Sequence, residues 1–172
     1  MSVREQLFVR TDSSPAEFAE FAAKLIGGRA ELRDQQVWLI VDTVRLVPGV
    51  DGEFGGPVLA HTSEAAFRPD GEFEAPDAYT VEMRLWQAGG PRVEPATGAD
   101  VEELAATAVF QALAASADLA MIHVHDDDAL LRAARPGVGQ VEFPPGTTIY
   151  DWDEDKWDGV VLRTQPGDAA SS

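Results

Sequence analysis

The chain has 172 residues, 45% of them hydrophobic, which suits one domain with an ordinary core. Its 13 lysines and arginines stand against 30 aspartates and glutamates, so the formal net charge is −17, a sign that repels phosphate backbones and attracts basic partners. Direct binding of nucleic acid is therefore disfavoured, and the absence of cysteine excludes disulfides, thiolate metal sites and cysteine nucleophiles.

The first predicted elements are a strand, a helix and two further strands. Residues 6–10 form a strand candidate, and a polar residue of 12–14 can cap a helix that two glycines end at 27–28. An edge strand is expected at 30–33, and 37–41 is apolar on both faces, as is typical of a central strand. Helical spacing gives the helix one buried stripe: Phe18, Phe21, Ala22, Leu25 and Ile26.

The middle of the chain has a weaker pattern. Glycines and prolines interrupt 47–76, around one possible strand at 58–62. Alternation of apolar and polar residues then predicts a half-exposed strand at 79–86. Asp100 can cap a second helix, more buried than the first. Its predicted apolar face is Val101, Leu104, Ala105, Ala108, Val109, Ala112 and Leu113.

The last third of the chain is rich in short extended pieces. Strands are predicted at 119–125, 130–132, 140–143 and 147–152, and 159–164 is a candidate to close the sheet. The expected fold is α+β, a mostly antiparallel sheet with two helices packed on one face, and its halves are candidates for a duplicated βαβ(β) unit.

One domain is expected over 1–165, followed by a disordered tail at 166–172. The start of the chain has no basic stretch followed by an apolar one, and no apolar run reaches the length of a membrane span. We therefore expect a cytoplasmic protein that does not bind membranes.

The most site-like string joins two histidines to three aspartates: His123, His125, Asp126, Asp127 and Asp128. Alternate strand residues point to the same side, so His123, His125 and Asp126 could bind zinc or a related metal. The same string also fits a strand that leaves the core, with the histidines at its more solvent-exposed end and the aspartates in the following turn. The third histidine, His61, lies in the poorly patterned middle. No cofactor is otherwise expected.

A second acidic segment interleaves two tryptophans with five carboxylates: Asp151, Trp152, Asp153, Glu154, Asp155, Trp157 and Asp158. It fails as a calcium loop, because Lys156 stands where the sharp turn needs glycine. Tryptophans are frequent interface anchors, and carboxylates pair with a partner's lysines and arginines. Alternatively, the tryptophans pin the loop onto the sheet. Both interpretations hold if one ring packs inward and the other outward.

Enzyme signatures are mostly missing from the sequence. It has no phosphate-cradling P-loop, no dinucleotide-binding glycine motif after a strand, no nucleophile elbow and no zinc-protease motif. Paired carboxylates carry little information in so acidic a chain. Catalysis is therefore unsupported by sequence.

The order of features in the second half matches a known type of protein. A helix over 100–115 leads through a small-residue and aspartate turn to an apolar strand that ends at His125, a Leu130-Leu131-Arg132 return strand and a late tryptophan. Over about 78–160 this order resembles immunity proteins of the SitI type, from actinobacteria and myxobacteria, which belong to polymorphic toxin systems. The resemblance implies a small cytosolic protein, made beside a toxin, that blocks it by direct stoichiometric binding.

Three functional hypotheses follow. The leading one is an acidic binding protein, an immunity protein that neutralises a basic cognate toxin through the turn at 126–128 and the loop at 151–158. The alternative is a metal-binding domain or metal-dependent enzyme built on His123, His125 and the neighbouring aspartates. The third is a housekeeping partner protein without a toxin. The sequence makes no prediction of oligomeric state.

Overall fold

A computed structural model describes residues 5–61, 79–126, 128–149 and 151–162. Three helices are present in these ranges: α1 (Pro15–Ile26), α2 (Val101–Ser116) and the single turn α3 (Glu154–Trp157). The strands are β1 (Glu5–Arg10), β2 (Arg29–Arg33), β3 (Gln36–Asp42), β4 (Glu53–Ala60), β5 (Val81–Ala88), β6 (Ala120–His125), β7 (Ala129–Arg135) and β8 (Gly139–Glu142).

The eight strands form one sheet in the order β2-β3-β4-β5-β1-β6-β7-β8, and neighbouring strands pair antiparallel throughout. Each half of the chain runs strand, helix, then three strands. The first strands of the two halves, β1 and β5, pair at the centre, where Leu7 lies opposite Met83. The predicted α+β fold with a mostly antiparallel sheet is therefore confirmed, and each half has one more strand than the βαβ(β) unit.

The local signals that predicted the two long helices act as expected. Ser14 caps α1 and forms a reciprocal capping box with Glu17, while Gly27 ends the helix in the left-handed conformation with φ 75°. Asp100 caps α2 by accepting hydrogen bonds from the backbone N–H groups of Glu102 and Glu103. These caps satisfy amides that a helix start leaves without a partner.

Both long helices pack on one face of the sheet and contact each other there. Alternate residues of the strands point toward them, among them Leu7 and Val9 of β1. The opposite face of the β1-β6-β7 half is covered by the C-terminal segment, whose Ile149, Trp157 and Val161 pack in a second core. The β1-β6-β7 half therefore lies between two layers.

The strand at 79–86 was predicted to be half-exposed, and the residues of its polar face are half-buried with one exception, Glu82. The regular part of the strand is β5, and Glu82 is only 2% exposed on the face away from the helices. Glu82 accepts hydrogen bonds from Gln6 Nε2 at 2.7 Å and Arg84 Nε at 3.0 Å, and His61 Nδ1 lies 3.9 Å from it. A paired carboxylate can be buried where an isolated one cannot, so the alternation misjudged this position alone.

Two of the predicted strands differ from the structure. The described residues of 147–152 contain an isolated bridge, between Thr148 and Ala129, and a 3-10 turn that begins at Asp151. Residues 159–162 form a turn instead of a strand. The side chains of Ile149 and Val161 from these two stretches pack in the second core. The predictions for 62–76 and for the tail at 166–172 lie outside the described residues. In the described ranges, no helix has the length and apolar character needed to cross a membrane.

Candidate functional site

The aspartate turn joins β6 to β7, as predicted. Asp126 adopts a positive φ of 53°, a conformation that aspartate tolerates better than most residues. Asp126 and Asp128 are both exposed. Asp127 lies outside the described residues. Two carboxylates of the predicted contact surface are therefore accessible at this end of the sheet.

The two tryptophans of the second acidic segment face opposite ways. Trp157 is 1% exposed, packs in the second core and donates from Nε1 to the carbonyl oxygen of Thr148 at 3.1 Å. Trp152 is 67% exposed. The inward ring confirms that a tryptophan pins the segment onto the sheet, whereas partner contact by the outward ring stays a prediction.

Trp157 and Asp153 were predicted as partner contacts, and the structure corrects both. Asp153 Oδ2 accepts hydrogen bonds from Thr148 N at 2.7 Å and Thr148 Oγ1 at 2.8 Å, and its Oδ1 lies 2.9 Å from Lys156 Nζ. The hydrogen bonds from Lys156 and Thr148 lower the pKa of Asp153. Its buried carboxylate therefore holds the loop in place instead of facing a partner. The exposed residues of the loop are Trp152, Asp155 and Asp158, and Glu154 is half-buried. Asp151 begins the 3-10 turn that includes Trp152.

Backbone contacts bring the two acidic segments together. The amide of Ile149, just before the loop, donates to the carbonyl oxygen of Asp128 at 3.1 Å. Leu130 N donates to Thr147 O at 3.0 Å, next to the bridge between Ala129 and Thr148. Segments separated by more than twenty residues in sequence thus adjoin at the start of β7. We call the exposed residues of both segments, together with the half-buried Glu154, the acidic surface: Asp126, Asp128, Trp152, Glu154, Asp155 and Asp158.

The histidine pair faces the helices instead of solvent, around a glutamate that sequence reasoning missed. Glu5 of β1 lies opposite His125 of β6 in the strand register. Its Oε1 is 2.8 Å from His123 Nε2 and its Oε2 is 2.5 Å from His125 Nδ1. Glu5 and His123 are both fully buried, and His125 is 22% exposed.

His123 continues into a second set of contacts. Its Nδ1 lies 2.5 Å from an Arg132 guanidinium nitrogen, which also donates to Thr107 Oγ1 at 2.8 Å, and the Phe110 ring stacks on the imidazole. A guanidinium can only donate, so Nδ1 accepts and Nε2 carries the hydrogen that is donated to Glu5. Burial, Arg132 and His125 hold the pKa of His123 well below its usual value, consistent with this neutral ring.

Glu5 has unusual electrostatics for a carboxylate. Burial, with smaller contributions from the like charges of Asp100 and Glu103, raises its pKa to about 7 against the opposing effect of His125. Burial lowers the pKa of His125, but its interaction with Glu5 outweighs burial and the net shift is upward. Glu5 and His125 are therefore a hydrogen-bonded pair in a region where carboxylates outnumber cations.

The predicted metal ligands do not assemble as proposed. Both nitrogens of His123 have partners, Asp126 projects from the turn, and His61 lies on the other face of the sheet, where its ring meets Phe8 edge-on. Within the described ranges, the side chains that could together hold a metal ion are Glu5, Asp100 and His125, whose candidate ligand atoms all lie within 4.8 Å of one another.

No family model, no curated protein and no solved structure matches this chain.

Proposed function

We propose that this protein is an acidic binding protein of the cytoplasm, an immunity protein that neutralises a basic cognate toxin by direct contact. The observation that carries the binding function is the acidic surface, where an exposed tryptophan at 67% accessibility lies among carboxylates from two sequence segments. The immunity role rests on the resemblance of residues 78–160 to SitI-type proteins.

The charge distribution supports a role in association. A net charge of −17 attracts a basic partner over long range, and steering of this kind speeds association at low salt. A tryptophan that inserts into a partner's pocket slows dissociation, because aromatic anchors carry much of the binding energy of an interface.

The support beneath the loop adds to the argument. Trp157 and Asp153 fix the loop to the sheet through the hydrogen bonds to Thr148. A loop held in place before binding loses less conformational entropy on binding, which favours affinity. The buried half of the segment therefore supports the recognition role of its exposed half.

The test is binding to the product of the neighbouring gene, measured by surface plasmon resonance at about 50 to about 300 mM NaCl. Trp152→Ala is expected to raise the dissociation rate at least about tenfold. The double variant Asp155→Asn/Asp158→Asn is expected to slow association at low salt.

A matched control is Asp34→Asn/Asp42→Asn, which removes the same two charges from exposed positions on the β2–β3 side of the sheet. It should change association less than the loop variant does. Equal effects of the two double variants would mean that bulk charge, and not the acidic surface, guides binding. Absence of any complex with the neighbouring gene product would refute the immunity role.

A further inference from the structure

We propose that Glu5, Asp100 and His125 form a binding site for a divalent transition-metal ion such as zinc, a site independent of the proposed partner binding. The three residues come from the start of β1, the first turn of α2 and the end of β6. Their candidate ligand atoms already lie within 4.8 Å of one another. One imidazole and two carboxylates are a ligand set found in zinc and related metal sites.

Each side chain is held in position by the fold. Glu5 is paired on both sides, opposite Leu85 of β5 and His125 of β6. Asp100 uses Oδ1 to hold the amides of Glu102 and Glu103, at 2.9 and 3.5 Å, and Oδ2 is the oxygen that would reach a metal. A site whose ligands are already placed loses little entropy when the ion binds.

The charge balance of the cluster favours a cation. Glu103 Oε1 lies 3.8 Å from His125 Nδ1, so three carboxylates surround a single imidazole. The other buried glutamate of the sheet, Glu82, has an arginine guanidinium at 3.0 Å as its counter-charge. Glu5 instead has imidazole partners and carboxylate neighbours. A divalent ion would balance the excess negative charge of these carboxylates.

His123 is placed to orient Glu5, one of the proposed ligands, without itself contacting the ion. It contacts Glu5 through Nε2 and is itself oriented by Arg132, which Thr107 holds in turn. Hydrogen bonds of this kind orient the carboxylate that binds the ion in metal sites. His125 is 22% exposed, which gives the ion a path from solvent.

Ion binding requires one local change. The contact between Glu5 Oε2 and His125 Nδ1 is 2.5 Å, whereas two ligands of a tetrahedral zinc ion with bonds of about 2.0 Å lie about 3.3 Å apart. The two side chains must therefore separate by about 0.8 Å, within the reach of rotamer adjustment. Coordination bonds then replace the direct hydrogen bond.

The test is isothermal titration of the chelator-treated, untagged full chain with ZnCl₂ and, separately, MnCl₂, without any partner protein. We expect one saturable zinc site per chain. Asp100→Asn keeps the helix cap, because asparagine caps as well as aspartate, yet it removes the charged ligand. Asp100→Asn and His125→Ala should each weaken zinc binding at least about tenfold.

The matched control is Asp126→Asn, which removes one charge at the residue after His125 and should leave zinc affinity within about twofold. Circular dichroism and urea unfolding verify that each variant is folded. The three-residue site would be overturned if the wild-type chain showed no saturable zinc binding. It would also be overturned if zinc affinity fell in only one of the two ligand variants. Because no partner is present, the result is separate from the outcome of the toxin-binding test.

Discussion

Trp157→Ala tests whether the acidic loop is held by a buried anchor. The side chain is 1% exposed, and a tryptophan of this burial removes about 150 to 250 Å² from water, or about 4 to 6 kcal/mol at about 25 cal/mol per Å². Alanine retains a small part of that burial, and measured losses for such truncations are about 3 to 5 kcal/mol. We therefore expect Trp157→Ala to lower the free energy of unfolding by about 4 kcal/mol.

Two further variants divide this loss into its causes. Trp157→Phe keeps a buried ring but removes the donor to Thr148 O, so a loss of about 1 to 2 kcal/mol is expected. Trp152→Ala, at 67% exposed, should cost less than about 1 kcal/mol. The assay is urea unfolding at 25 °C followed by far-UV circular dichroism, a probe that does not depend on the tryptophans. Similar losses for Trp157→Ala and Trp152→Ala would refute the assignment of one ring to the core and one to the surface.

Two other predictions concern the sheet. Burial raises the pKa of Glu82, but the nearby His61 ring and the hydrogen bonds from Arg84 and Gln6 outweigh it and hold the pKa at about 2. Because this folded-state pKa lies below the unfolded value, the stabilisation is complete at neutral pH and is lost as the pH falls from about 4.5 toward 2, amounting to about 3 kcal/mol. Urea titrations of wild type and Glu82→Gln should therefore converge by that amount over this range, and parallel curves would contradict the role of Glu82. For Gly56→Ala, the new Cβ would lie 1.8 Å from the carbonyl oxygen of Arg84, so the β4–β5 pairing must shift at a cost of at least about 2 kcal/mol; an unchanged urea midpoint would show that the strands tolerate the methyl group.

The glycines of β4 explain one limit of the sequence analysis. A strand was expected at 58–62, whereas β4 begins at Glu53 and includes Gly55 and Gly56. Glycine is usually a sign of a turn, so the pattern placed the start too late. In the structure these positions need glycine because neighbouring strands approach closely: a Cβ on Gly55 would lie 1.9 Å from Leu39 O. This requirement for glycine arises from the pairing of β4 with both of its neighbours, which the sequence pattern does not contain.

For α2, the sequence predicted where the helix starts better than which of its side chains are buried. Its start at Asp100 was predicted correctly, because a cap acts within three residues. Its buried face was predicted less well, since Leu104 is 40% exposed and Phe110, absent from the predicted face, is fully buried. The position of the sheet and of α1 decides which side of the helix is covered, and neither is encoded within the helix.

The sequence by itself determined the features that depend on neighbours along the chain: the caps and ends of the helices, most of the strands, the negative charge and its concentration in two segments. Tertiary structure alone decided which distant residues meet. Glu5, Asp100 and His125 are far apart in sequence and adjoin because β1 pairs with β6 beside the start of α2. Trp152 and Trp157 have similar sequence surroundings, yet only the second lies over the sheet and is buried. Local periodicity and capping act over a few residues, whereas strand order sets contacts across the whole chain.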